Sequence, residues 1–275
     1  MSEIIKSPIN YTGNKYKLLP RLLPLFPQNI STFLDVFGGS GTVSFNVDAE
    51  KKICNDYIPY ISGIFSKWQT MSLEDIVDYC KKYQHITEEQ FLELRKEYNI
   101  TKDSNILFVL ISQSFNGQMR FNTKHEYNSS FAKDIRYLND NIISNVEKVY
   151  PLLDTITFIS KDFRELEYDS LDKDSFVYLD PPYSLSRGVY QDGKRGFKGW
   201  YKQDDLDLFK ICDTLDSKGI KFAMSNVFSS KGATNEELVS WATKYNVTHL
   251  NMNYNLGARK ILNCKDDEVL IRNFE

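Results

Sequence analysis

Short apolar runs that end in a polar residue recur along the chain, separated by segments with helical spacing of their apolar positions. An uninterrupted short apolar run indicates a buried strand, whereas apolar positions three and four apart indicate a helix. Strands are predicted at residues 32–36, 52–55, 155–160, 175–179, 220–225, 247–250 and 267–273. Helices are predicted at residues 15–25, 43–47, 58–68, 73–82, 88–98, 106–113, 204–216 and 235–244. The alternation predicts an α/β fold with about seven strands.

One long helical stretch interrupts this alternation after the second strand. Between residues 57 and 150 the helices follow one another without an intervening strand, and Thr87 and Gln90 form a capping-box pattern at the start of one of them. A run of helices inside an α/β pattern is typical of an insertion. We therefore expect one domain built from residues 1–56 and 151–275, with an inserted domain at residues 57–150.

Composition and charge exclude several classes of protein. The 275 residues are 41% hydrophobic, which is enough for one large domain and too apolar for a disordered chain. No run reaches the length of a membrane span and the start has no apolar signal core, so we expect a cytoplasmic protein without a membrane partner. The net charge of −3 argues against a non-specific nucleic-acid coat protein. The cysteines lack C-x-x-C spacing and the histidines are far apart, which predicts no metal site.

The strand at 175–179 runs directly into Asp180-Pro181-Pro182-Tyr183. An acid at the carboxyl end of a strand lies at the sheet edge where open α/β folds bind ligands. Proline fixes the backbone and has no N–H, so the carbonyls of this turn stay available as acceptors. An acid, free carbonyls and an aromatic ring suit a flat substrate with N–H donors. An ordinary strand-ending turn is the alternative for this motif taken alone.

The first strand runs into a glycine-rich turn, Gly38-Gly39-Ser40-Gly41, in which glycines allow the backbone to approach a ligand closely. The turn matches neither the dinucleotide fingerprint nor a P-loop. Asp56 ends the next strand, about twenty residues after the turn, where Rossmann-type folds bind a ribose. A ribose-bearing cofactor is therefore predicted, with a helix cap as the alternative role of this acid.

Two segments carry polar and basic groups suited to nucleic acid. Residues 115–136 combine a turn dipeptide with arginine, asparagine, lysine and aromatic side chains, which predicts a loop or hairpin that contacts bases and phosphates. Residues 187–202 contain five basic residues and one acid, interleaved with glycines and aromatics. A basic loop on an acidic chain favours a polyanionic substrate. A solvated face is the alternative.

The motifs of the chain follow a fixed order: Y-T-G-N-K at 11–15, D-V-F-G-G-S-G at 35–41, a helical insertion and D-P-P-Y at 180–183. This order resembles the Dam family of DNA adenine-N6 methyltransferases, and most closely its phage Dam-like branch. The resemblance covers nearly the whole chain. It implies a Rossmann-like S-adenosylmethionine-dependent methyltransferase fold, with a seven-stranded mixed sheet whose last strand is antiparallel. It also implies that the insertion is a helical target-recognition domain with a hairpin.

The resemblance also assigns roles to residues. The catalytic motif would be Asp180, Pro181, Pro182 and Tyr183. The cofactor would be bound by Tyr11, Lys15, Asp35, Phe37, Gly38, Gly39, Gly41, Asp56, Asp162, Phe163 and Asp180. Double-stranded DNA would be contacted by Asn116, Arg120, Asn122, Lys124, Lys133, Arg136, Arg187, Tyr190, Lys194, Arg195 and Lys198.

The implied chemistry agrees with these residue types. An adenine inside a duplex is unreachable and must be flipped out of the stack. Its amine is a poor nucleophile, and Asp180 with the Pro181 carbonyl can accept its two N–H bonds and aim the nitrogen at a sulfonium methyl group. Tyr183 would stack on the base. No metal is required.

The sequence departs from the family in the segment that is expected to read the target site on DNA. Members that read GATC are expected to have an arginine after an aromatic-glycine pair, whereas this chain has Phe131-Ala132-Lys133 and its nearest arginine is Arg136. GATC is the default site, and a different adenine-containing site is the alternative. A same-fold enzyme acting on RNA or protein, and a non-catalytic DNA-binding protein, are the rival functions. Dimerisation on DNA and a cognate restriction endonuclease are open possibilities.

Overall fold

The computed structural model describes residues 3–133, 138–186, 199–250 and 266–275. The strands are β1 Ile30–Asp35, β2 Ala49–Asn55, β3 Ile156–Ile159, β4 Phe176–Leu179, β5 Lys221–Ser230, β6 Ala233–Thr234, β7 Asn246–His249 and β8 Asp267–Arg272. The helices are α1 Leu19–Leu22, α2 Pro59–Trp68, α3 Leu73–Lys82, α4 Glu88–Thr101, α5 Ser104–Gln113, α6 Asp140–Leu153, α7 Lys202–Ser217 and α8 Glu236–Ala242.

The strands form one mixed sheet in the order β3-β2-β1-β4-β5-β8-β7. Neighbours from β3 to β5 are parallel, and β8 is antiparallel to both β5 and β7. The short strand β6 pairs only with the end of β5. The prediction of an α/β fold with seven main strands, the last of them antiparallel, is therefore confirmed, and β6 is an addition to it.

Side chains that alternate along the central strands enter two different cores. Val177 and Leu179 of β4 pack with Phe222 and with the inner faces of α7 and α8. Phe176 and Tyr178, on the opposite face, pack with α1 and the N-terminal segment. Because both faces of the sheet are covered, the parallel strands read as continuous apolar runs, as the sequence indicated.

The helices α2 to α6 share a core with the outer strands of the sheet. Phe65 of α2 packs on Phe158 of β3, with ring centroids 5.1 Å apart, and Ile156 and Cys54 belong to the same cluster. The buried faces of α3, α4, α5 and α6 continue this cluster away from the sheet. The helical segment is thus packed directly on strands β2 and β3 of the sheet. It is not joined to the sheet only by a linker.

Three elements differ from the sequence-based expectation. The predicted helix at 15–25 is only α1 followed by a 3-10 turn, because Pro20 and Pro24 cannot donate backbone hydrogen bonds. The predicted helix at 43–47 is wrong: the chain forms hydrogen-bonded turns there, since so short a segment with β-branched residues does not propagate a helix. Helix α6, capped by Asn139, had not been predicted, and it extends past residue 150.

In the part of the chain that the structure describes, none of the helices is both long enough and apolar enough to span a bilayer.

Candidate active site

Four side chains that the sequence singles out follow the ends of four adjacent parallel strands. Phe37 follows β1, Asp56 follows β2, Asp162 follows β3 and Asp180 follows β4. Because parallel strands end at the same sheet edge, these residues line one cleft, together with the N-terminal segment 11–15. The structure therefore brings together most of the predicted cofactor and catalytic residues from distant parts of the sequence.

The glycine turn is held against the end of β2. The Gly38 amide donates to the Asn55 carbonyl (2.6 Å), and the Gly39 amide donates to Oδ2 of Asp56 (2.9 Å). Gly39 has a φ of +51°, and a β-carbon there would lie 2.9 Å from the ring of Tyr11. Only glycine therefore allows the turn and this tyrosine to lie so close at the cleft.

Asp56 has two structural contacts in addition to its position in the cleft. Its Oδ1 accepts a hydrogen bond from the Ile58 amide (2.9 Å), just before α2 begins, while its Oδ2 accepts from Gly39. The N-cap of α2 is Ile58, which has no side-chain capping bond, so Asp56 orders the turn before the helix and does not take the helix-cap role considered as the alternative. These two bonds also fix the orientation of the carboxylate at the cleft wall.

Asp35 and Gly41 lie behind the cleft and are not among the described residues that line it. Asp35 is 1% exposed, and its burial raises the pKa of its carboxyl to about 7, although the Ser44 hydroxyl donates to Oδ2 (2.8 Å) and opposes the shift. Oδ1 has no hydrogen-bond partner among the described residues. A β-carbon at Gly41 would lie 2.9 Å from the Phe45 ring, so this glycine serves internal packing.

Three aromatic rings form one wall of the cleft. The ring centroids of Phe37 and Phe163 are 5.7 Å apart, and Trp200 lies 5.6 Å from Phe37 and 5.4 Å from Phe163. Arg164 stacks on Phe163 (4.3 Å) and forms an ion pair with Asp162 (3.1 Å). Trp200 had not been predicted, although a tryptophan close to a glycine-rich basic loop was a signal for it. The wall suits a flat aromatic ligand.

The acid of the D-P-P-Y turn is ion-paired, and its side chain is 16% exposed. Oδ2 of Asp180 lies 2.7 Å from Nζ of Lys15, and Oδ1 accepts a hydrogen bond from the Tyr183 hydroxyl (2.9 Å). Burial raises the pKa of Asp180, and the Lys15 ammonium and the Tyr183 hydroxyl oppose this rise. Lys15 also lies 5.1 Å from the centre of the Tyr183 ring. Lys15, which the resemblance assigned to the cofactor, thus pairs with the acid of the D-P-P-Y turn.

The two prolines of the turn line the cleft beside this acid. Pro181 is buried and Pro182 is half-buried. Because neither residue has an N–H, the turn presents acceptors and no backbone donors at these two positions. The site therefore combines a carboxylate and carbonyl groups with an aromatic wall and a carboxylate at the end of β2.

Comparison with known proteins agrees with this geometry. Residues 11–256 match the family model of the D12 class N6 adenine-specific DNA methyltransferase. The chain belongs to this D12 class. It is 40% identical to Modification methylase StsI of Streptococcus sanguinis and 37% identical to the Type II methyltransferase M.FokI of Planomicrobium okeanokoites, in each case over 98% of the chain. It is also 25% identical to a DNA adenine methylase of Haemophilus influenzae. That match covers 64% of this chain and 63% of the methylase.

The chain spans 43% of the length of StsI and the same share of M.FokI. The family resemblance expected from the sequence motifs is confirmed, with both Type II modification methylases and DNA adenine methylases among the relatives of this D12-class chain.

In this D12-class chain the segment after α5 folds back on itself as a hairpin. Isolated antiparallel bridges join Ser114 to Phe131 and Phe121 to Tyr127. The ring of Phe121 stacks on Tyr60 of α2 at a centroid distance of 3.9 Å. These contacts hold the hairpin on the helical insertion, as the sequence predicted.

The base of the hairpin also touches the segment that lines the cleft. The Asn10 side chain donates to the carbonyl of Asn116 (3.1 Å), and a β-carbon at Gly117 would lie 2.9 Å from Asn10. Asn10 directly precedes Tyr11 of the cleft. The predicted DNA-contact segment and the predicted cofactor segment are therefore neighbours.

The predicted DNA-contact residues of the hairpin differ in their surroundings. Arg120 and Lys124 are exposed. Asn122 holds the hairpin tip, because its Oδ1 accepts from the Lys124 and Glu126 amides (2.9 and 3.0 Å). Lys133 is exposed and lies 3.0 Å from Glu88. The remaining predicted DNA contacts lie outside the described residues, namely Arg136, Arg187, Tyr190, Lys194, Arg195 and Lys198.

Among the residues described by the structure, there is no group of three or more histidine, cysteine, aspartate or glutamate side chains that could hold a metal ion.

Proposed function

We propose that this D12-class chain transfers the methyl group of S-adenosylmethionine to the N6 amine of an adenine flipped out of duplex DNA. The observation that carries the proposal is the position of Asp180. This carboxylate lies at the end of β4, paired with Lys15 (2.7 Å), in the same cleft as Asp56 and the aromatic wall. One cleft thus offers an acceptor for an amine and features suited to a ribose and an adenine ring.

The cleft fits S-adenosylmethionine, which when bound supplies an electrophilic methyl group on a sulfonium. Asp56 offers a carboxylate that would accept from the ribose hydroxyls. Phe37, Phe163 and Trp200 would enclose the adenine ring of the cofactor. Tyr11 and the glycine turn would close the cleft along the remaining side. The absence of a G-K-[ST] motif agrees with a cofactor that has no phosphate.

The residues of the D-P-P-Y turn would activate the amine by position. Asp180 and the Pro181 carbonyl would each accept one N–H of the amine, which turns the nitrogen lone pair out of the plane of the base. Lys15 would favour the ionised form of Asp180, since its ammonium opposes the rise of the pKa of that carboxyl. When the base stacks on the Tyr183 ring, the Tyr183 hydroxyl would either give up its hydrogen bond to Asp180 or keep it while the amine also donates to that carboxylate.

The substrate would be read by the insertion at residues 57–150, which we propose as the target-recognition domain within the bounds expected from the sequence. Arg120 and Lys124 are exposed on its hairpin and suit contacts with bases or phosphates. GATC remains the default site from the Dam-like resemblance, with another adenine-containing site as the alternative. Because two relatives are named as a modification methylase and a Type II methyltransferase, we propose a role in cytoplasmic restriction-modification beside a cognate endonuclease. A dimer on DNA is part of this proposal.

A methyl-transfer assay tests the reaction. Purified wild-type chain and the variants Asp180→Ala and Asp174→Ala would be incubated with radiolabelled S-adenosylmethionine and duplex DNA, RNA or protein. We expect label in duplex DNA as N6-methyladenine for the wild type and Asp174→Ala, and none for Asp180→Ala. Asp174 is the control because it is an exposed acid before β4, outside the cleft.

Each rival function has its own outcome in this assay. Label in RNA or protein instead of DNA would indicate the same-fold alternative. Specific DNA binding without label would indicate a non-catalytic DNA-binding protein. Single-molecule sequencing of DNA from cells that express the chain would read the methylated motif, and a motif other than GATC would overturn the default site.

A further inference from the structure

An arginine at the edge of the cleft connects two segments that are distant in the sequence. Arg164 lies in the 3-10 turn Phe163–Glu165 that follows β3, and it lines the cleft. Each of its three guanidinium nitrogens donates to an acid. Nε donates to Asp207 (2.7 Å), Nη1 donates to Asp162 (3.1 Å) and Nη2 donates to Asp204. The arginine and these three acids are called the Arg164 network below.

Two acids of the Arg164 network belong to the first two turns of α7, and each is held on that helix by a second bond. Oδ2 of Asp204 accepts from the Tyr201 amide at the start of the helix (2.7 Å). Oδ1 of Asp207 accepts from the side-chain amide of Gln203 (2.8 Å). Because both carboxylates have fixed positions on α7, the guanidinium joins the turn after β3 to this helix in one geometry.

The two segments that the Arg164 network joins each carry a ring of the aromatic wall. Phe163 directly precedes Arg164, whose guanidinium lies 4.3 Å from the centre of the Phe163 ring. Trp200 comes shortly before α7, and its indole N–H donates to Oδ1 of Asp205 in the first turn of the helix (2.8 Å). The centroids of the two rings are 5.4 Å apart. Their spacing therefore follows from the way in which the turn is joined to the helix.

The Arg164 network also orients an acid that lines the cleft. Oδ1 of Asp162 accepts from the Arg164 amide (3.0 Å) and from Nη1 (3.1 Å), and Oδ2 accepts from Nη1 (3.2 Å). A carboxylate has about four sites that accept hydrogen bonds. Asp162 could therefore accept one more bond, from the amino group of a bound adenine, while Arg164 fixes its orientation.

We infer that Arg164 is a positioning residue for the adenine ring of S-adenosylmethionine, which acts by joining the turn after β3 to α7 and so sets the spacing of Phe163 and Trp200. The inference rests on the proposed function and deepens it. Lysine could not replace Arg164 fully, because one ammonium group does not present the planar array of donors that three carboxylates require.

The exposure of the Arg164 network favours an effect on the site over an effect on the fold. The side chains of Arg164 and Asp162 are each 34% exposed, and that of Asp207 is 32% exposed. Ion pairs that water reaches contribute little to the free energy of unfolding. We therefore expect loss of the network to change the geometry of the wall more than the stability of the chain.

Three variants separate positioning from direct contact with the cofactor. Arg164→Gln removes the guanidinium, and Arg164→Lys keeps its charge without the planar array of donors. Asp207→Asn weakens the network from outside, because Asp207 is not one of the described residues that line the cleft. Lys218→Gln is the matched control, since the ion pair of Lys218 with Asp169 joins the chain after β3 to the other end of α7.

The measurements are the dissociation constant for S-adenosylmethionine by calorimetry without DNA, KM for the cofactor and kcat on duplex DNA, and the thermal midpoint. We expect the dissociation constant of Arg164→Gln to rise by about 10-fold, as for the loss of one hydrogen bond to a charged group. Arg164→Lys and Asp207→Asn should show smaller rises. KM should rise with the dissociation constant and by more than kcat falls. Lys218→Gln should bind the cofactor as the wild type does.

A double variant tests whether the two residues act through one connection. Arg164→Gln combined with Asp207→Asn should bind the cofactor no more weakly than Arg164→Gln alone, because the first change already removes the partner of Asp207. Losses that add in the double variant would overturn the inference. A weakened Arg164→Gln beside an Asp207→Asn with wild-type affinity would also overturn it, since Arg164 would then contact the cofactor directly.

Two further results would overturn the inference while the proposed function stands. These are an unchanged cofactor affinity for Arg164→Gln, and an equal loss of affinity for Lys218→Gln, which would mean that any loosening of α7 has the same effect. A wild-type chain that binds S-adenosylmethionine but leaves DNA unmethylated would refute the proposed transfer to DNA, and the dissociation constants of the variants would still decide the inference. A wild-type chain that does not bind S-adenosylmethionine would refute both.

Discussion

Nζ of Lys15 lies 2.7 Å from Oδ2 of Asp180, and the lysine side chain is only 4% exposed. The pair joins the Y-T-G-N-K segment to the D-P-P-Y turn, which are far apart in the sequence. Burial raises the pKa of Asp180, and the ammonium of Lys15 is the largest opposing influence. Lys15 thus favours the ionised form of the proposed acceptor of the amine.

Replacing Lys15 by methionine should therefore shift the pH dependence of methyl transfer. Without the ammonium, the pKa of Asp180 rises further, so a smaller fraction of the carboxyl is ionised at any given pH. The acidic limb of the kcat profile should move to higher pH. Lys17→Met, which removes an exposed lysine two residues along, is the control and should keep the wild-type profile. A Lys15→Met profile that coincides with that of the wild type would mean that Lys15 does not set this ionisation.

Asp35 provides a prediction about stability and pH. Its pKa is about 7 in the folded chain, against an ordinary value of 3.8, so the folded state holds a proton that the unfolded state releases between these pH values. This raised pKa contributes stability that is complete below pH 4 and is lost as the pH rises through 7, by up to roughly 4 kcal/mol. Asp35→Asn should remove that loss, because asparagine does not ionise.

The measurement is the free energy of unfolding of wild type and Asp35→Asn between pH 4 and 9. The difference between the two proteins should change in favour of Asp35→Asn as the pH rises from 4 towards 7, and should level off above pH 7. Asp174→Asn, at an exposed acid, is the control for general effects of charge. A wild-type–variant difference that stays constant across this range would show that Asp35 does not titrate in the folded state near pH 7.

The parts of the site that could be predicted from sequence share a local signal. Asp56 and Asp180 each end a short apolar run, and parallel strands place such ends at one edge. Their meeting in the cleft thus follows from the strand pattern alone. The sequence places Lys15 in the Y-T-G-N-K segment, but only the fold selects Asp180 as its partner.

The residues that could not be predicted depend on contacts between distant elements. Glu268 of β8 lies 3.4 Å from the hydroxyl of Tyr183, and the pattern of that strand does not show which residues it contacts. Trp200 joins the aromatic wall because α7 packs beside the loop that follows β3. The chain forms turns at 43–47, where a helix was predicted, for a different reason. The apolar spacing there indicates which positions are buried, but not how many helical hydrogen bonds form.

Asp56→Ala should weaken binding of S-adenosylmethionine while affinity for DNA is retained. The variant removes the acceptor proposed for the ribose and also two hydrogen bonds that orient the glycine turn and precede α2. Loss of hydrogen bonds to a charged group corresponds to about 1.5–3 kcal/mol. Asp56→Asn keeps one carbonyl acceptor and should be intermediate. Calorimetric titration with the cofactor is the measurement, and an unchanged titration of Asp56→Ala would contradict the ribose assignment.

Trp200→Ala should also weaken cofactor binding, because it removes one ring of the aromatic wall. Trp200→Phe keeps an aromatic face and should retain most of the affinity. Trp241→Phe is the control, since Trp241 stacks on Phe209, away from the cleft. Fluorescence should make the assignment direct: quenching by S-adenosylmethionine should persist in Trp241→Phe and be lost in Trp200→Phe. Quenching that persists in Trp200→Phe would place the cofactor ring elsewhere.

Arg120→Ala should reduce discrimination between DNA sequences. Arg120 is exposed on the hairpin, and its side chain has no hydrogen-bond or ion-pair partner among the described residues, so the guanidinium is available to a ligand. A bidentate contact with a guanine contributes about 1–3 kcal/mol of discrimination. Lys96→Ala, which removes an exposed charge from α4, is the control for the general electrostatic contribution.

The measurement for Arg120 is the dissociation constant on the methylated motif and on random duplex DNA, at several salt concentrations. A base contact predicts that Arg120→Ala loses affinity for the motif alone, with the salt dependence nearly unchanged. A phosphate contact predicts instead an equal loss on both DNAs and a shallower salt dependence, because one fewer counterion is released. An equal loss would therefore remove Arg120 from sequence recognition and leave the reading of the site to other parts of the chain.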